Sequence, residues 1–334
     1  MKKLWPVWAI LIFAALLWWP GKPLFMTVMT NAEAARIASI TPDSVADEIP
    51  ERLDIDRMMT DLHWLAHPDR EGRLVGSAGG AEARGYIVER FEELGLYPAG
   101  TYGFLHPFEL PDVDGAANVI GYLPGTREGL DPIAITAHYD HLGVHEGRIY
   151  HGADDNASGT AALMEIARYF TENPTQHPLL FMALDAEEGG LRGARALFST
   201  ELFSAEDIAF NVNMDMMSRD TDELLYAVGT WHYPWLRPLV KQVQQESGAK
   251  LIMAHDRPWW KAGHTMDWTW SSDHGPFHDE GIPFIYFGVA DHPDYHQPTD
   301  TSDKTNVEFY RRTSETALSF ILLIDEVLPG RNRF

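Results

Sequence analysis

The stretch DPIAITAHYDHLG (131–143) passes from a turn pair through small and β-branched apolar residues and ends in two His and one Asp. A short apolar run without alternation is the pattern of a strand buried on both faces, as in the parallel sheets of α/β proteins. Its polar end then falls at the carboxyl end of a strand, where open α/β sheets hold their ligands. A little further on, GADDNASG (152–159) sets two Asp before the helical pattern SGTAALMEIARYF (158–170).

The same alternation extends in both directions. GGAEARGYIVERFEELGLYPAG (79–100) carries Ala83, Ile87, Val88, Phe91 and Leu94 at helical spacing, with Gly95 as its stop. Strands are expected in ANVIGYLPG (117–125), PLLFMALDAEEGG (178–190), IAFNVNMDMM (208–217), ELLYAVG (223–229) and IPFIYFGV (282–289). Helices are expected in LRGARALFST (191–200) and near 234–247. The fold class is therefore α/β: an open, mostly parallel mixed sheet with helices on both faces. No internal repeat or low-complexity tract interrupts residues 51–330, which read as a single catalytic domain.

Composition narrows the chemistry. The 334 residues carry a formal net charge of −23, which repels phosphates and excludes nucleic acid as a partner. There is no cysteine, so disulfides, thiolate nucleophiles and thiolate metal sites are excluded. Any metal site is built from the 15 His and the 49 Asp and Glu.

At the N-terminus, Lys2 and Lys3 precede an apolar run, Leu4–Trp19, closed by Pro20-Gly21. This is the layout of a signal peptide or a retained membrane anchor, assigned to residues 1–35, with 36–50 as a linker. The rest of the chain is then exported, periplasmic or extracellular, with membrane association possible through residues 4–19.

Collecting the polar residues at the expected strand ends gives His138 and Asp140, then Asp185, Glu187 and Glu188, then Asp215. The last strand leads to His292, Asp294, His296 and Asp300, and Asp154 and Asp155 stand before a helix. So many carboxylates share one rim only if cations neutralise them, and divalent ions with mixed N/O ligands, zinc above all, suit this set. Two ions suit the count better than one. Of the doublet Glu187-Glu188, one can serve as base and the other as ligand, while the second residue after His138 can fix its tautomer.

The motifs AHYDHLG, GADDNASG, FMALDAEEGGLRG, NVNMDMMSR, SDHGPF and YHQPTDT, in that order from 137 to 301, resemble the co-catalytic dizinc aminopeptidases. Glutamate carboxypeptidase II-like enzymes and glutaminyl cyclases belong to the same family. The resemblance implies its zinc-peptidase, phosphorylase/hydrolase-like fold and two Zn2+ per chain. His138 and Asp215 would hold one ion, Glu188 and His296 the other, and Asp155 would bridge them. Glu187 would be the general base, Asp140 would orient His138, and the Asp155-Asn156 peptide would be cis. The implied activity is an aminopeptidase, hydrolysing N-terminal peptide bonds of substrates with a free N-terminus by a metal-activated water.

Other residues carry blander expectations. Asp154 reads as a helix cap, and His141, His145 and His151 match no ligand position, so they belong on the surface or behind the ligands. Ser272, Asp273 and His274 border the substrate pocket in relatives, and Trp259, Trp260, Trp268 and Trp270 could wall it or form a packed loop. The alternative functions are a glutaminyl cyclase-like acyltransferase, which works with one zinc, and a non-catalytic receptor-like ectodomain. A carboxypeptidase or deacylase of the other His-x-Asp dizinc family would insert a domain after Glu188. Here LRGARALFST and IAFNVNMD follow at once.

Overall fold

The computed structural model describes residues 22–328, apart from 43, 47, 201 and 258–265. Four parallel strands form its centre: β4 (Ile133–His138), β7 (Leu179–Leu184), β8 (Phe210–Met214) and β11 (Phe284–Gly288). They lie in the order β7-β4-β8-β11, each pair in parallel register. The flanks are mixed. β3 (Ala117–Leu123) joins β7 antiparallel and carries the short β1 (Tyr97–Pro98) and β2 (Leu105–Pro107) on its outer side. On the far side β9 (Leu224–Val228) runs antiparallel to β11 and pairs in parallel with β10 (Lys250–Met253). A separate hairpin, β5 (Gly143–His145) with β6 (Arg148–Tyr150), follows the end of β4.

The central strands are apolar throughout because both of their faces are covered. Ile133, Ile135 and Ala137 of β4 join one core cluster, and Ala134 between them joins another. The first face is covered by α2 (Ile55–Leu65), α3 (Ala78–Glu93), α4 (Gly159–Glu172), α6 (Arg237–Glu246) and α8 (Val307–Val327). Met58, Leu62, Ile87, Phe91, Phe309 and Phe320 bury completely there, or nearly so, each contributing about 1.5–3 kcal/mol. On the second face, α5 (Arg192–Ser199) and α7 (His274–Asp279) supply Ala194, Leu197 and Phe277.

Helix α1 (Lys22–Ile40) corrects the linker expectation at its start: residues 36–40 are helical, and Ile37 and Ile40 pack against the cluster of Tyr226, Trp268 and Tyr286. Residues 41, 42, 44–46 and 48–50 form no regular element. The apolar run 4–19 lies outside the described residues, among which no helix is long and apolar enough to cross a membrane. Among the described residues, the segment between β7 and β8 holds only α5 and a short 3-10 turn.

Candidate metal centre

Because β4, β7, β8 and β11 are parallel, their carboxyl ends open on one rim. His138 is the last residue of β4 and Asp215 follows β8 directly. The loop after β7 presents Glu187 and Glu188, and that after β11 presents His292 and His296. Asp155 lies in the tight turn Ala153–Ser158 that leads into α4, and its peptide bond to Asn156 is cis.

The side chains converge around Asp155, whose two oxygens face different partners. Oδ1 lies 3.3 Å from His138 Nε2, which is also 3.3 Å from Asp215 Oδ1. Oδ2 lies 3.1 Å from His296 Nε2, which is again 3.1 Å from Glu188 Oε2. His138, Glu187 and Asp215 form one candidate ligand group, and His141, Asp155 and Glu188 a second. The carboxylate of Asp155 spans the two.

The polypeptide builds this arrangement with groups that never reach a ligand position. Asp300 accepts hydrogen bonds from the amides of Asp154 and Asp155, fixing the turn from behind. Asn156 accepts from the amides of Gly159 and Met216 and donates to Met214 O, tying the turn to the end of β8. Asp154 is no helix cap. It is fully buried, accepting from Ser158 Oγ and from the amide and hydroxyl of Ser218 at Oδ1, while its Oδ2 lies 3.0 Å from His292 Nε2. Beneath the turn Arg73, fully buried, donates only to backbone carbonyls: Leu65, Tyr139, His151 and Gly152. Nothing in the local sequence around Arg73 announces that role, because its acceptors are all main chain.

Asp140 Oδ1 accepts from Glu187 N at 3.0 Å and stands 3.6 Å from His138 Nδ1, whose nearer contact is the carbonyl of Asp140 itself at 3.2 Å. Asp140 thus faces both the base and the ligand assigned from sequence. Asp185 is turned away, accepting from Ala117 N and from its own neighbour Ala186 N. Burial and the nearby Asp140 push its carboxyl up to about 7.

The electrostatics are those of a site made for cations. Burial raises Glu187 well above the ordinary carboxyl range; His138 opposes this, while Asp215 and Asp273 add to it. Burial acts against a charged His138, but Asp215, Glu187 and Asp155 override it and lift that imidazole well above 6.5. For His296 the same contest, with Asp155 and Glu188 winning over burial, ends at about 10. These are properties of the polypeptide by itself. All donors are imidazole or carboxylate, and Glu188 Oε1 is buried without a hydrogen-bond partner among the described residues. Such a donor set at such spacing fits zinc.

The cleft above the ligand candidates is lined by Met216, Trp268, Ser271, Tyr286, Val289, Asp291 and Tyr295. Trp268 is buried and stacks on His255, whereas Trp270 is exposed and donates to Asp279. Trp259 and Trp260 lie outside the described residues. Ser272, Asp273 and His274 are fully buried behind the cleft wall. Ser272 accepts from Asn213, and burial, opposed by His138, pushes Asp273 up to about 8.

His145 is exposed on the hairpin, and His151 Nδ1 lies 3.1 Å from Ala66 O. Of the two places expected for His141, surface or behind the ligands, the structure shows the second: it is fully buried, with Nδ1 2.7 Å from Glu188 Oε1. Its adjacency to the HYD motif was the one signal in the sequence.

Solved structures share this architecture. An aminopeptidase from Aneurinibacillus sp. strain AM-1 superposes with a TM-score of 0.64 at 18% identity, over 82% of this chain and 94% of that one. BSAP, a zinc aminopeptidase from Bacillus subtilis, gives 0.64 at 16% identity over 86% and 98%. In sequence, aminopeptidase YwaD of Bacillus subtilis (strain 168) is 29% identical over 204 residues, 57% of this chain and 41% of its own length. Leucine aminopeptidase 1 of Fusarium vanettenii is 27% identical over 185 residues, 53% of this chain and 46% of its own. The chain thus spans less than half the length of these curated relatives. The model of peptidase family M28 matches residues 118–321, the stretch from β3 through α8 that supplies every ligand candidate. The chain belongs to peptidase family M28.

Proposed function

We propose that this chain is a zinc-dependent aminopeptidase that hydrolyses the N-terminal peptide bond of peptides with a free α-amine. The observation that carries the reading is Asp155, whose Oδ1 faces His138 and Asp215 while its Oδ2 faces His296 and Glu188. A carboxylate so placed suits two ions, with His138 and Asp215 on one and Glu188 and His296 on the other. When bound, zinc polarises the scissile carbonyl and acidifies water.

The chain's own residues do the rest. Glu187 stands in the His138–Asp215 group with no hydrogen bond tying down its carboxylate among the described residues. It takes a proton from the attacking water as the water oxygen bonds to the carbonyl carbon. It then delivers that proton to the amine nitrogen as the C–N bond breaks. Asp140 holds the backbone of Glu187 in place. The acidic rim attracts a free α-ammonium, and Met216, Trp268, Tyr286, Val289 and Tyr295 line the cleft where the first side chain would lie. A relative named leucine aminopeptidase 1 supports an apolar preference. Both ligand groups being present favours hydrolysis over the one-zinc cyclase reading.

Bound zinc per full chain, measured alongside hydrolysis of aminoacyl-anilides, tests the proposal. Near two zincs are expected, with cleavage abolished by chelator. Glu187→Gln should lose about 10²–10⁴-fold in kcat while keeping its metal. One zinc with cyclisation of N-terminal glutamine, or no zinc and no turnover, would refute it. Residues 1–35 are proposed to export or anchor the enzyme, on the strength of Lys2, Lys3 and the run to Trp19. N-terminal sequencing of protein from membrane and soluble fractions decides between cleavage and retention.

A further inference from the structure

His141 is the one imidazole at the centre to which the M28 ligand pattern gives no role. Its ring is fully buried, and neither nitrogen has a hydrogen-bond partner among the described residues. Nδ1 nevertheless approaches Glu188 Oε1 to 2.7 Å, and that oxygen too is without a hydrogen bond. Two unsatisfied polar atoms buried side by side are destabilising unless a third body meets both. The fold holds the ring there firmly. Gly152 leaves the room it occupies, since a Cβ at that position would lie 2.5 Å from His141 Cγ, and the amide of His141 is tied to Arg73 O at 3.4 Å.

The positions match a coordination shell. His141 Nδ1 is 3.8 Å from Asp155 Oδ2, and Asp155 Oδ2 and Glu188 Oε2 each lie 3.1 Å from His296 Nε2. Ligands of one tetrahedral zinc, at about 2.0–2.2 Å from the metal, stand roughly 3.3–3.6 Å apart. The two imidazoles flank Glu188 from opposite oxygens, their rings edge to face at 5.9 Å.

We propose that His141 is a third imidazole of the centre, donating through Nδ1 to the ion held by Asp155, Glu188 and His296. The assignment rests on the two-ion reading above. It makes that position richer in nitrogen than its partner, where His138 is the single imidazole.

Long-range 1H–15N spectra of the full chain, labelled at histidine and loaded with Zn2+, test this directly. Three histidines should show a metal-shifted nitrogen, His138 and His296 at Nε2 and His141 at Nδ1. In competition with a chromophoric chelator, His141→Gln and His141→Ala should both weaken one of the two zinc sites by at least about tenfold and leave the other unchanged. Two bound zincs with only two shifted histidines would overturn the proposal. So would a Gln variant that binds both ions as the native chain does, since Gln keeps an N–H for Glu188 but no imidazole donor. If the variants fail to fold, the native spectrum still decides. Fewer than two zincs on the native chain would remove the two-ion reading itself, and the stoichiometry tells that outcome apart.

Discussion

Asp140 and Glu187 are joined by a 3.0 Å hydrogen bond from the amide of Glu187 to Asp140 Oδ1, the same oxygen that stands 3.6 Å from His138 Nδ1. One carboxylate thus sets the backbone of the proposed base and supplies the countercharge to a proposed ligand. Asp140→Asn separates these duties, because the amide oxygen still accepts from Glu187 while the negative charge is gone. The variant should fold with a near-native melting temperature and lose about 10–100-fold in zinc affinity or kcat. Steady-state kinetics at saturating zinc, with a chelator competition beside them, check it. Native kinetics and affinity would show that only the backbone bond matters.

Zinc binding should expel protons. His138 is lifted well above 6.5 by Asp215 and Glu187 against the effect of burial, and His296 to about 10 by Asp155 and Glu188. His296 is therefore protonated near pH 7.5 in the polypeptide alone, and a zinc ligand must be neutral imidazole. At least the His296 proton should leave per chain, a release that falls away as the pH rises through about 10, where His296 is already neutral. Calorimetric titration in two buffers of different ionisation enthalpy counts the protons released. A buffer-independent heat at pH 7.5 would contradict the assignment.

The strand ends were legible because buried parallel strands write themselves as apolar runs, so the residue that closes each run is a candidate for chemistry. His138, Glu187, Glu188, Asp215 and His296 all emerged that way. What stayed hidden depends on partners far along the chain. The antiparallel setting of β3 and β9 leaves no local mark, and neither does the burial of Asp154, which its position before a helix made look like a cap. Helices α2 and α8 are ordinary amphipathic helices to which no chemistry drew attention. The sequence leaves His141 either on the surface or behind the ligands, and the room made by the missing side chain of Gly152 decides for the buried place.

Arg73 holds four carbonyls, those of Leu65, Tyr139, His151 and Gly152, from a fully buried position. Burial pulls its guanidinium down to about 10, with Asp155, Asp300, Asp140 and Glu188 opposing, so it stays charged at neutral pH. Arg73→Met removes the donors and leaves the acceptors buried, at about 1–3 kcal/mol each. That is a large share of the 5–15 kcal/mol that stabilises a typical domain. The variant should unfold at markedly lower denaturant or fail to accumulate. Arg73→Lys, with a charge and three donors, should fall between it and the native chain. Equal stability of Met and Lys variants would mean that neither charge nor donors matter at that position.

Gly152 tests how tightly the metal centre is held, because two backbone demands meet there. Its φ of +58° disfavours any side chain, by about 1 kcal/mol for alanine. A Cβ would also sit 2.2 Å from Asp155 O and 2.5 Å from His141 Cγ, so the turn and the ring must both move. Gly147, on the β5–β6 hairpin, has a φ of +73° and open space around it. Gly147→Ala should therefore show the conformational cost alone, with native zinc binding. Gly152→Ala should show a larger loss of stability together with weaker binding, since it displaces Asp155, the proposed bridge, and an imidazole beside Glu188. Melting curves and chelator competition on the two variants separate these effects. If Gly152→Ala binds zinc as Gly147→Ala does, the turn carrying Asp155 is free to shift without disturbing its ligands, and the centre does not depend on the fit at this glycine.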